Sequence, residues 1–306
     1  MKLFDAHCDV LLHMWRDEHL DFADNALHID MRRLTIAGAK VQCFAIFVPE
    51  TVPVSGKFET AVQMADIFHE RILGRFPNMK HIRTKKDIEA LGDDEIGAML
   101  TLEGCDAVDV DLAKFRTLFR LGVVSVGLTW NHANACADGV KEPRQGGLTD
   151  FGKQVVELNN RFRIWTDVSH LSEAAFWDVI ETADFPIASH SNAKSLCSHP
   201  RNLTDAQIKA LIHKDGCIGI VFAPHFLRDD EHASIDDVLR HVEYVCELGG
   251  ASHLGFGSDF DGIDRVPKQL EHYGKYPDLV EALLKRYPAS VVDGFCFQNF
   301  ANAFPR

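Results

Sequence analysis

The chain has 306 residues and a formal net charge of -13 at pH 7; 46% of its residues are hydrophobic and 25% are charged. This length suits one large barrel or two smaller domains. The negative charge repels phosphate backbones, which excludes nucleic-acid binding as the main role, and an anionic substrate would need a local basic group.

Cysteine usage and hydropathy indicate the cellular compartment. The eight cysteines are scattered and form no CxxC pair, a pattern that favours reduced, mostly buried thiols. No apolar run approaches the ~20 residues of a membrane span, and no signal peptide precedes the first predicted strand. We therefore expect a cytoplasmic protein with no membrane or nucleic-acid partner.

Short β-rich runs alternate with helical runs along the chain. Strands are predicted at 3–9, 40–48, 96–104, 123–130, 163–170, 186–191, 217–223 and 254–262. Helical periodicity occurs at 60–73, 111–121, 151–160, 173–182, 204–213 and 235–248. Eight such units, closing on themselves, form a (β/α)8 barrel. Because no low-complexity linker divides the chain, we predict one domain over residues 1–306, with closing helices at 277–287 and 289–304 packed on the outside.

Ionisable residues occur where six of the predicted strands end, which is where a barrel of this type forms its active site. These residues are His7, Asp9, Glu103, His170, His190, Asp259 and Asp261, together with His132 just after the fourth predicted strand. His7 and Asp9 share one face of an extended strand and can converge on one ion. His170 and His190 come from adjacent strands and can converge on a second ion. Imidazole and carboxylate suit Zn²⁺, and a carboxylate such as Glu103 can bridge two ions.

Six ordered motifs carry a family resemblance. They are His7-x-Asp9, Leu102-Glu103-Gly104, Asp167-Val168-Ser169-His170, Ser189-His190-Ser191-Asn192, Pro200-Arg201-Asn202 and Gly257-Ser258-Asp259-Phe260-Asp261-Gly262. In this order they resemble the membrane (renal) dipeptidase family, peptidase family M19, zinc enzymes of the amidohydrolase type. The similarity extends over nearly the whole chain.

The resemblance implies a metallodipeptidase with two Zn²⁺ ions per chain. It assigns His7 and Asp9 to one zinc, His170 and His190 to the other, and Glu103 to both. Arg201, followed by Asn202, matches the segment that binds the substrate, with the arginine on the terminal carboxylate. Asp259 matches the position that handles protons.

The implied reaction is hydrolysis of a dipeptide by a hydroxide shared between the two zinc ions. Recognition of a free carboxylate by Arg201 would restrict the enzyme to very short peptides. The family also implies tolerance of a D residue at the C-terminal position of the substrate. The expected partner is therefore a small dipeptide, and a homodimer is compatible with the sequence.

The sequence departs from the family pattern after the fourth predicted strand. The family's best-known members have a histidine there that supports the carbonyl oxygen, whereas this chain has Trp130. His132, two residues further on, is an alternative for that role. Ala223 replaces an aromatic residue that often ends the seventh strand, which leaves the preferred substrate side chains open.

Other functions remain as alternatives. An amidohydrolase-type enzyme for another small amide or a lactone is the second interpretation, and a non-catalytic metal-binding barrel is the third. An oxidoreductase is disfavoured because the four tyrosines lie away from the strand ends. The segment GFGSDFDG also has Phe260 where a dinucleotide-binding fingerprint needs its third glycine.

Overall fold

Eight parallel strands form a nearly closed barrel in this computed structural model. The structure describes residues 1–24 and 26–305; Asn25 and Arg306, which the predicted domain of residues 1–306 includes, lie outside the described residues. The described strands are β1 (Leu3–Asp5), β2 (Ala39–Phe47), β3 (Met79–His81), β4 (Ile96–Glu103), β5 (Val123–Gly127), β6 (Trp165–Asp167), β7 (Pro186–Ile187), β8 (Ile218–Ile220) and β9 (Leu254–Phe256).

The order of the strands establishes the barrel. It runs β7-β6-β5-β4-β2-β1-β9-β8 with parallel pairing throughout, and a parallel bridge between Ala188 and Ile218 joins β7 to β8. The predicted (β/α)8 barrel is therefore confirmed. The short β3, which pairs with the start of β4 beside the ring, has no counterpart in the sequence prediction.

Helices connect the strands and pack around them. The described α-helices are α1 (Val10–Arg16), α2 (Met31–Ala37), α3 (Val54–Ile67), α4 (Lys85–Glu89), α5 (Leu112–Leu121), α6 (Asp150–Phe162), α7 (Glu173–Thr182), α8 (Asp205–His213), α9 (Pro224–Leu227), α10 (Ile235–Glu247), α11 (Tyr276–Leu284), α12 (Ala289–Asp293) and α13 (Asn299–Ala303). Two π-helical segments, Phe68–Leu73 and Gly294–Gln298, follow α3 and α12 directly.

The predicted helices at 173–182 and 204–213 agree closely with α7 and α8, whose first turns are capped. The hydroxyls of Ser172 and Thr204 accept hydrogen bonds from backbone N–H groups in the first turns of α7 and α8. The short helices α1, α2, α4 and α9 were not predicted, since four to seven residues are too few to display a helical period.

Most of the observed strands are shorter than the predicted ones, and this difference determines how the site is built. β1 ends at Asp5, and Asp9 becomes the residue that precedes α1. Between them the chain keeps a single bridge to the last strand region, from Cys8 to Phe260. Only Glu103 is itself the last residue of a strand, β4. The other polar residues lie on loops that the rigid barrel carries.

The last helical segments, Gly294–Gln298 and α13, close the amino-terminal end of the barrel, which corrects the prediction that this part of the tail packs on the outside. Phe4 of β1 and Trp165 of β6 belong to strands four places apart in the ring, yet their ring centroids are only 6.4 Å apart. Phe300 contacts both, at 5.3 Å and 6.0 Å, and the Trp165 indole N–H donates to the carbonyl of Ala303 at 3.1 Å. Aromatic side chains of the tail therefore fill the end of the barrel opposite the predicted site.

The cysteine side chains are mostly buried, as the sequence predicts. All eight cysteines lie in the described ranges as free thiols, and each except Cys246 is buried. Among the described residues, no helix combines the length and apolar character needed to cross a bilayer.

His241 of α10 should make the stability of the fold depend on pH. Its side chain is buried; Nδ1 accepts a hydrogen bond from the backbone N–H of Ala193, and Nε2 donates one to the carbonyl of Leu227. Only the neutral ring can make both bonds, and burial lowers the pKa of His241 to about 4. An unfolded histidine titrates near pH 6.5, so between pH 6.5 and 4 the unfolded chain binds more protons than the folded chain.

We expect this contribution to be fully present above pH 6.5 and to be lost as the pH falls. Between pH 7 and pH 5 it should cost about 2 kcal/mol of unfolding free energy. A His241→Asn variant keeps an acceptor for Ala193 and removes the titrating group, so it should lose about 2 kcal/mol less over that range. Urea unfolding of both proteins at the two pH values measures the difference. Parallel losses in the two proteins would contradict this account.

Candidate active site

Six predicted ligand and proton-handling side chains meet at the carboxyl end of the barrel. The loops after β1 and β9 are hydrogen-bonded to each other, because the Asp259 N–H donates to the carbonyl of His7 at 3.2 Å and the Asp9 N–H donates to that of Phe260 at 3.1 Å. Glu103 approaches from β4. The side chains brought together are His7, Asp9, Glu103, His170, His190 and Asp259.

The first half of this cluster surrounds the ring nitrogen of His7. His7 Nε2 is 3.3 Å from Asp9 Oδ2, 3.4 Å from Glu103 Oε2 and 3.8 Å from Asp259 Oδ1. His7 Nε2 and Asp9 Oδ1 are nevertheless buried atoms that have no hydrogen-bond partner among the described residues. Unpaired buried polar atoms are costly, so these two atoms are suited to bind a further group such as a cation.

The second half brings two imidazole lone pairs together. His170 Nδ1 is 3.0 Å from the side-chain oxygen of Asn131, which can only accept, so this nitrogen carries the ring proton. His190 Nδ1 is 2.7 Å from Ser189 Oγ, whose hydroxyl donates to Asp167, so here too Nδ1 carries the proton. Both Nε2 atoms are therefore acceptors, yet they lie only 2.9 Å apart.

Glu103 joins the two halves. Its Oε1 is 2.9 Å from His170 Nε2 and 3.7 Å from His190 Nε2, whereas its Oε2 faces His7. Lone pairs of three acceptors thus converge on one point without a donor, an arrangement that a cation satisfies.

The donor set of the cluster fits divalent cations. Two sets of three residues could each hold an ion, because the ligand atoms within each set all lie within 4.8 Å of one another. The sets are His7, Glu103 and His190, and His7, Asp9 and Asp259. Neutral imidazoles and carboxylates without thiolates are ligands that zinc accepts. The unpaired atoms of His7 and Asp9 are the observation that supports this fit.

The protonation states follow from burial and from neighbouring charge. Burial, reinforced by the charge of Arg201, lowers the pKa of His170 to about 4, and burial together with His7 and Arg201 holds the pKa of His190 well below its ordinary value. Burial alone would lower the pKa of His7, but the carboxylates of Glu103 and Asp9 outweigh it and raise the pKa well above 6.5. The cluster therefore favours positive charge at its centre.

Backbone conformation also orients the side chains of the site. His170 and Asp259 adopt positive φ angles of 72° and 61°, in the left-handed region that costs non-glycine residues free energy. Gly262 has no such φ, but a Cβ there would collide with the carboxylate oxygens of Asp9 and Asp259. A side chain at this position would displace both carboxylates from the cluster.

A cavity of about 430 Å³ opens onto the cluster, and its volume suits a small substrate. The residues lining it include Asp9, Leu12, Phe47, Glu103, Trp130, Asn131, Lys141, His170, His199, Arg201, His225, Phe226, Asp259 and Asp264. A larger cavity of about 720 Å³, lined by Trp165 and Pro186 at the starts of β6 and β7, lies at the opposite end of the barrel. Because barrel enzymes act at the carboxyl ends of their strands, the smaller cavity is the candidate active site.

Arg201 places a buried cation in this cavity. Only 4% of the residue is exposed; one guanidinium nitrogen donates to the carbonyl of His190 at 3.1 Å, and Nε is buried without a partner among the described residues. Burial lowers the pKa of Arg201 to about 10, which still leaves it charged at neutral pH. The planar guanidinium group, with its paired N–H donors, suits a carboxylate of the substrate.

Comparison with known proteins identifies the family. The model of the membrane dipeptidase family, peptidase family M19, matches residues 1–306. The chain belongs to peptidase family M19.

Solved structures agree with this membership. The dipeptidase AC, a metallopeptidase of family M19, superposes with a TM-score of 0.94 at 28% identity, over 100% of this chain and 98% of that chain. A metallopeptidase from Rhodobacter sphaeroides, crystallised with a phosphinate mimic of the dipeptide L-Ala-D-Ala, gives a TM-score of 0.94 at 26% identity, over 100% of this chain and 99% of that chain.

Curated relatives include one with a named activity. Dipeptidase aclJ of Aspergillus oryzae is 32% identical over 309 residues, which cover 94% of this chain and 73% of that protein. An uncharacterized protein in the pqqA 5' region of Klebsiella pneumoniae is 36% identical over 227 residues, which cover 70% of this chain and 83% of that protein. The M19 chain is therefore a metallodipeptidase, a class of hydrolase whose activity requires metal ions.

Two sequence-predicted residues lie away from the M19 cavity. Asn131 takes the inward position, which leaves its neighbour His132 exposed and outside the described lining residues. The amide nitrogen of Asn202 donates to the carbonyls of Cys197 and Phe226, at 2.9 Å and 2.8 Å. Asn202 therefore holds two loops together beside Arg201, and its role in substrate binding stays a prediction.

Trp130 does line the M19 cavity. Its ring centroid lies 5.2 Å from that of Phe47 and 6.2 Å from that of His170. The structure thus favours Trp130 over His132 as the residue that forms this part of the wall.

Several functional contacts of the M19 site were missed at the sequence level. Asn131 and Ser189 fix the ring protons of the two histidines, although both are neighbours of residues that the motifs emphasised. Asp5 is different, because its place one step deeper in the first strand predicts a supporting or structural acid; it accepts hydrogen bonds from His7 N–H, Ser258 N–H and the Tyr276 hydroxyl. The sequence also did not single out Lys141, His199 and His225, which line the cavity from loops outside the motifs.

Proposed function

We propose that this M19 protein hydrolyses dipeptides with a free C-terminal carboxylate, using two zinc ions held in the cluster around Glu103. The observation that carries the proposal is the convergence of buried acceptor atoms without donors, beside a buried arginine, in a cavity of about 430 Å³. Acceptors without donors require cations, and the arginine requires an anion.

His7 and Asp9 would hold one ion and His170 and His190 the other, with one oxygen of Glu103 toward each. When bound, such ions supply hydroxide at neutral pH by acidifying water and polarise the scissile carbonyl. The side chains behind the ligands support this role. Asn131 and Ser189 keep the ring protons on Nδ1, so that Nε2 of each histidine is ready to bind.

Asp259 would handle the protons. Burial raises the pKa of its carboxyl well above the ordinary value, although the charges of His7 and Arg201 oppose the rise. A carboxyl with a raised pKa can accept a proton during attack on the carbonyl and return it to the departing amine. Its left-handed backbone holds it against the edge of the cluster and inside the cavity.

Arg201 and Trp130 would position the substrate. The guanidinium can bind both oxygens of the terminal carboxylate, which restricts the enzyme to very short peptides. The Trp130 indole has one N–H donor and no titrating group, so it can shape the pocket or stabilise the carbonyl oxygen without exchanging a proton.

We also infer that a D residue is accepted at the C-terminal position of the substrate. The similar Rhodobacter sphaeroides metallopeptidase was crystallised with a mimic of L-Ala-D-Ala, which supports this inference.

The proposal is tested with protein stripped by a chelator and reloaded with Zn²⁺. We expect the stripped protein to be inactive, and the reloaded protein to contain two zinc ions per chain and to cleave both L-Ala-L-Ala and L-Ala-D-Ala. C-terminally amidated dipeptides, which lack the anion for Arg201, should be poor substrates. Hydrolysis of simple lactones without hydrolysis of dipeptides, or undiminished activity after stripping, would refute the proposal.

A further inference from the structure

One wall of the cavity carries donors that the proposed reaction does not use. Lys141 and His199 line the cavity together with Arg201, and we call these three residues the basic wall. Phe226 packs beneath it, with its ring 5.4 Å from the Arg201 guanidinium and 4.4 Å from the His199 ring. The His225 ring lies 5.3 Å from that of His199. The basic wall is thus one continuous surface that begins at the arginine.

His199 presents a fixed hydrogen-bond donor. The backbone N–H of Arg201 donates to His199 Nδ1 at 3.2 Å, so the ring proton is on Nε2. Burial, together with the charges of His225, Arg201 and Lys141, lowers the pKa of His199 to about 4, and the ring is therefore neutral at pH 7. No oxygen in the described part of the chain accepts a hydrogen bond from Nε2. The donor is available to a ligand.

Lys141 presents a charge without a counterion. Its side chain is exposed at the rim, and no described carboxylate forms an ion pair with it, in contrast to Lys57 and Lys153, which pair with Asp106 and Asp150. Its charge acts on both His199 and His225, so it faces the same part of the cavity. In a chain with a net charge of -13, an unpaired charge of this kind attracts anions locally.

Two aspartates also line the cavity near these basic residues. Asp259 lies near Arg201 and within the cluster around His7, and Asp264 lies close to His225. Among the described residues, neither aspartate forms an ion pair with Lys141 or accepts a hydrogen bond from His199. Arg201 can bind only one carboxylate with its fork, which leaves Lys141 and His199 for a second anionic group on the same substrate residue.

We propose that this enzyme prefers dipeptides whose C-terminal residue is aspartate or glutamate. The α-carboxylate binds Arg201, and the side-chain carboxylate binds Lys141 and the Nε2–H of His199. This inference rests on the proposed dipeptidase function and names the substrate class of the same site.

The position of the side-chain carboxylate in the substrate determines which kinetic constant should change. The side-chain carboxylate is remote from the scissile bond, so its contacts are equal in the ground state and in the transition state, and they lower KM without changing kcat. Asparagine has the same shape as aspartate without the charge. A charge contact at a solvent-exposed rim should favour the aspartate substrate by about fivefold or more in kcat/KM, and added salt should reduce this ratio.

The test uses the zinc-loaded protein with Ala-Asp and Ala-Asn, each with an L and with a D C-terminal residue. In each configuration that is cleaved, we expect a higher kcat/KM for the aspartate substrate, expressed as a lower KM. Lys141→Met should bring the Asp to Asn ratio close to one, and Lys141→Arg should preserve it. His199→Asn, which keeps an acceptor for the Arg201 N–H but loses the ring proton, should lower the ratio. Lys153→Met, on the outer helix α6, is the matched control and should leave the ratio unchanged.

The outcomes separate the two proposals. Equal kcat/KM values for Ala-Asp and Ala-Asn, or a ratio that survives both Lys141→Met and His199→Asn, would overturn the acidic preference and leave the dipeptidase function intact. Failure of the zinc-loaded protein to cleave any dipeptide would overturn both.

Discussion

A Glu103→Gln variant is expected to lose dipeptide hydrolysis and most of its bound metal. Glu103 is the side chain that reaches both halves of the cluster, with one oxygen near His170 and the other near His7. Glutamine keeps the shape but removes the negative charge and replaces one oxygen by an N–H₂ group, which cannot bind a cation. We expect kcat/KM for Ala-Ala to fall at least about a thousandfold, and metal content after gel filtration to fall with it.

The variant should still fold, because the new amide can donate to a neighbouring imidazole that now lacks a partner. Circular dichroism and thermal unfolding of the metal-free proteins check this point. Glu247→Gln, at an exposed position of α10, is the matched control and should keep full activity and full metal content. Two bound metal ions and wild-type turnover in Glu103→Gln would show that Glu103 does not bridge the ions.

Replacing Arg201 is expected to damage substrate binding while leaving the metal in place. Arg201→Met keeps the aliphatic stem near Phe226 and removes the guanidinium. Charge-assisted hydrogen bonds contribute roughly 1.5–3 kcal/mol each, so the loss of a two-bond contact with the substrate should lower kcat/KM by about 10²–10⁴-fold, mainly through KM. Metal analysis should still give the wild-type zinc content.

Amidated substrates identify the cause of this loss. The wild type should discriminate strongly between Ala-Ala and its C-terminal amide, whereas Arg201→Met should discriminate weakly because the group that reads the carboxylate is gone. Arg201→Lys keeps a charge without the planar fork and should fall between the two. Unchanged discrimination in Arg201→Met would mean that another group binds the carboxylate, and lost zinc would mean that the arginine supports the metal site.

The outcomes for His7 and Asp9 illustrate how far sequence reasoning reached. Their proximity was predicted from strand alternation, and the side chains do meet at 3.3 Å, but the strand that was expected to carry them ends at Asp5. The prediction of proximity succeeded because two residues apart is close in a bent loop as well as in a strand. Local spacing therefore predicted that the two side chains lie close together, but it did not predict the backbone conformation between them.

Two residues of the basic wall, Lys141 and His199, could not be identified from the sequence. Nothing in the local sequence distinguishes Lys141 or His199 from an ordinary surface residue, because each lies in an irregular loop outside the motifs. His132, which lies beside a predicted strand end, is named by the sequence as an alternative to Trp130, and its side chain is exposed. Loop conformation depends on contacts between distant segments, such as the hydrogen bond from the Lys141 N–H to the Asn131 carbonyl, and these contacts have no local signature.

The sequence by itself determined the alternation of strands and helices, the barrel that follows from it and the chemical types of the ligands, since these depend on periodicity and residue identity over short spans. Only the tertiary structure decided which nitrogen of each histidine is free, which loop residues face the substrate, and that the C-terminal aromatic residues fill the lower end of the barrel. Each of these depends on atoms that residues far apart in the chain bring within about 3–6 Å of one another, the range over which hydrogen bonds and ring contacts act.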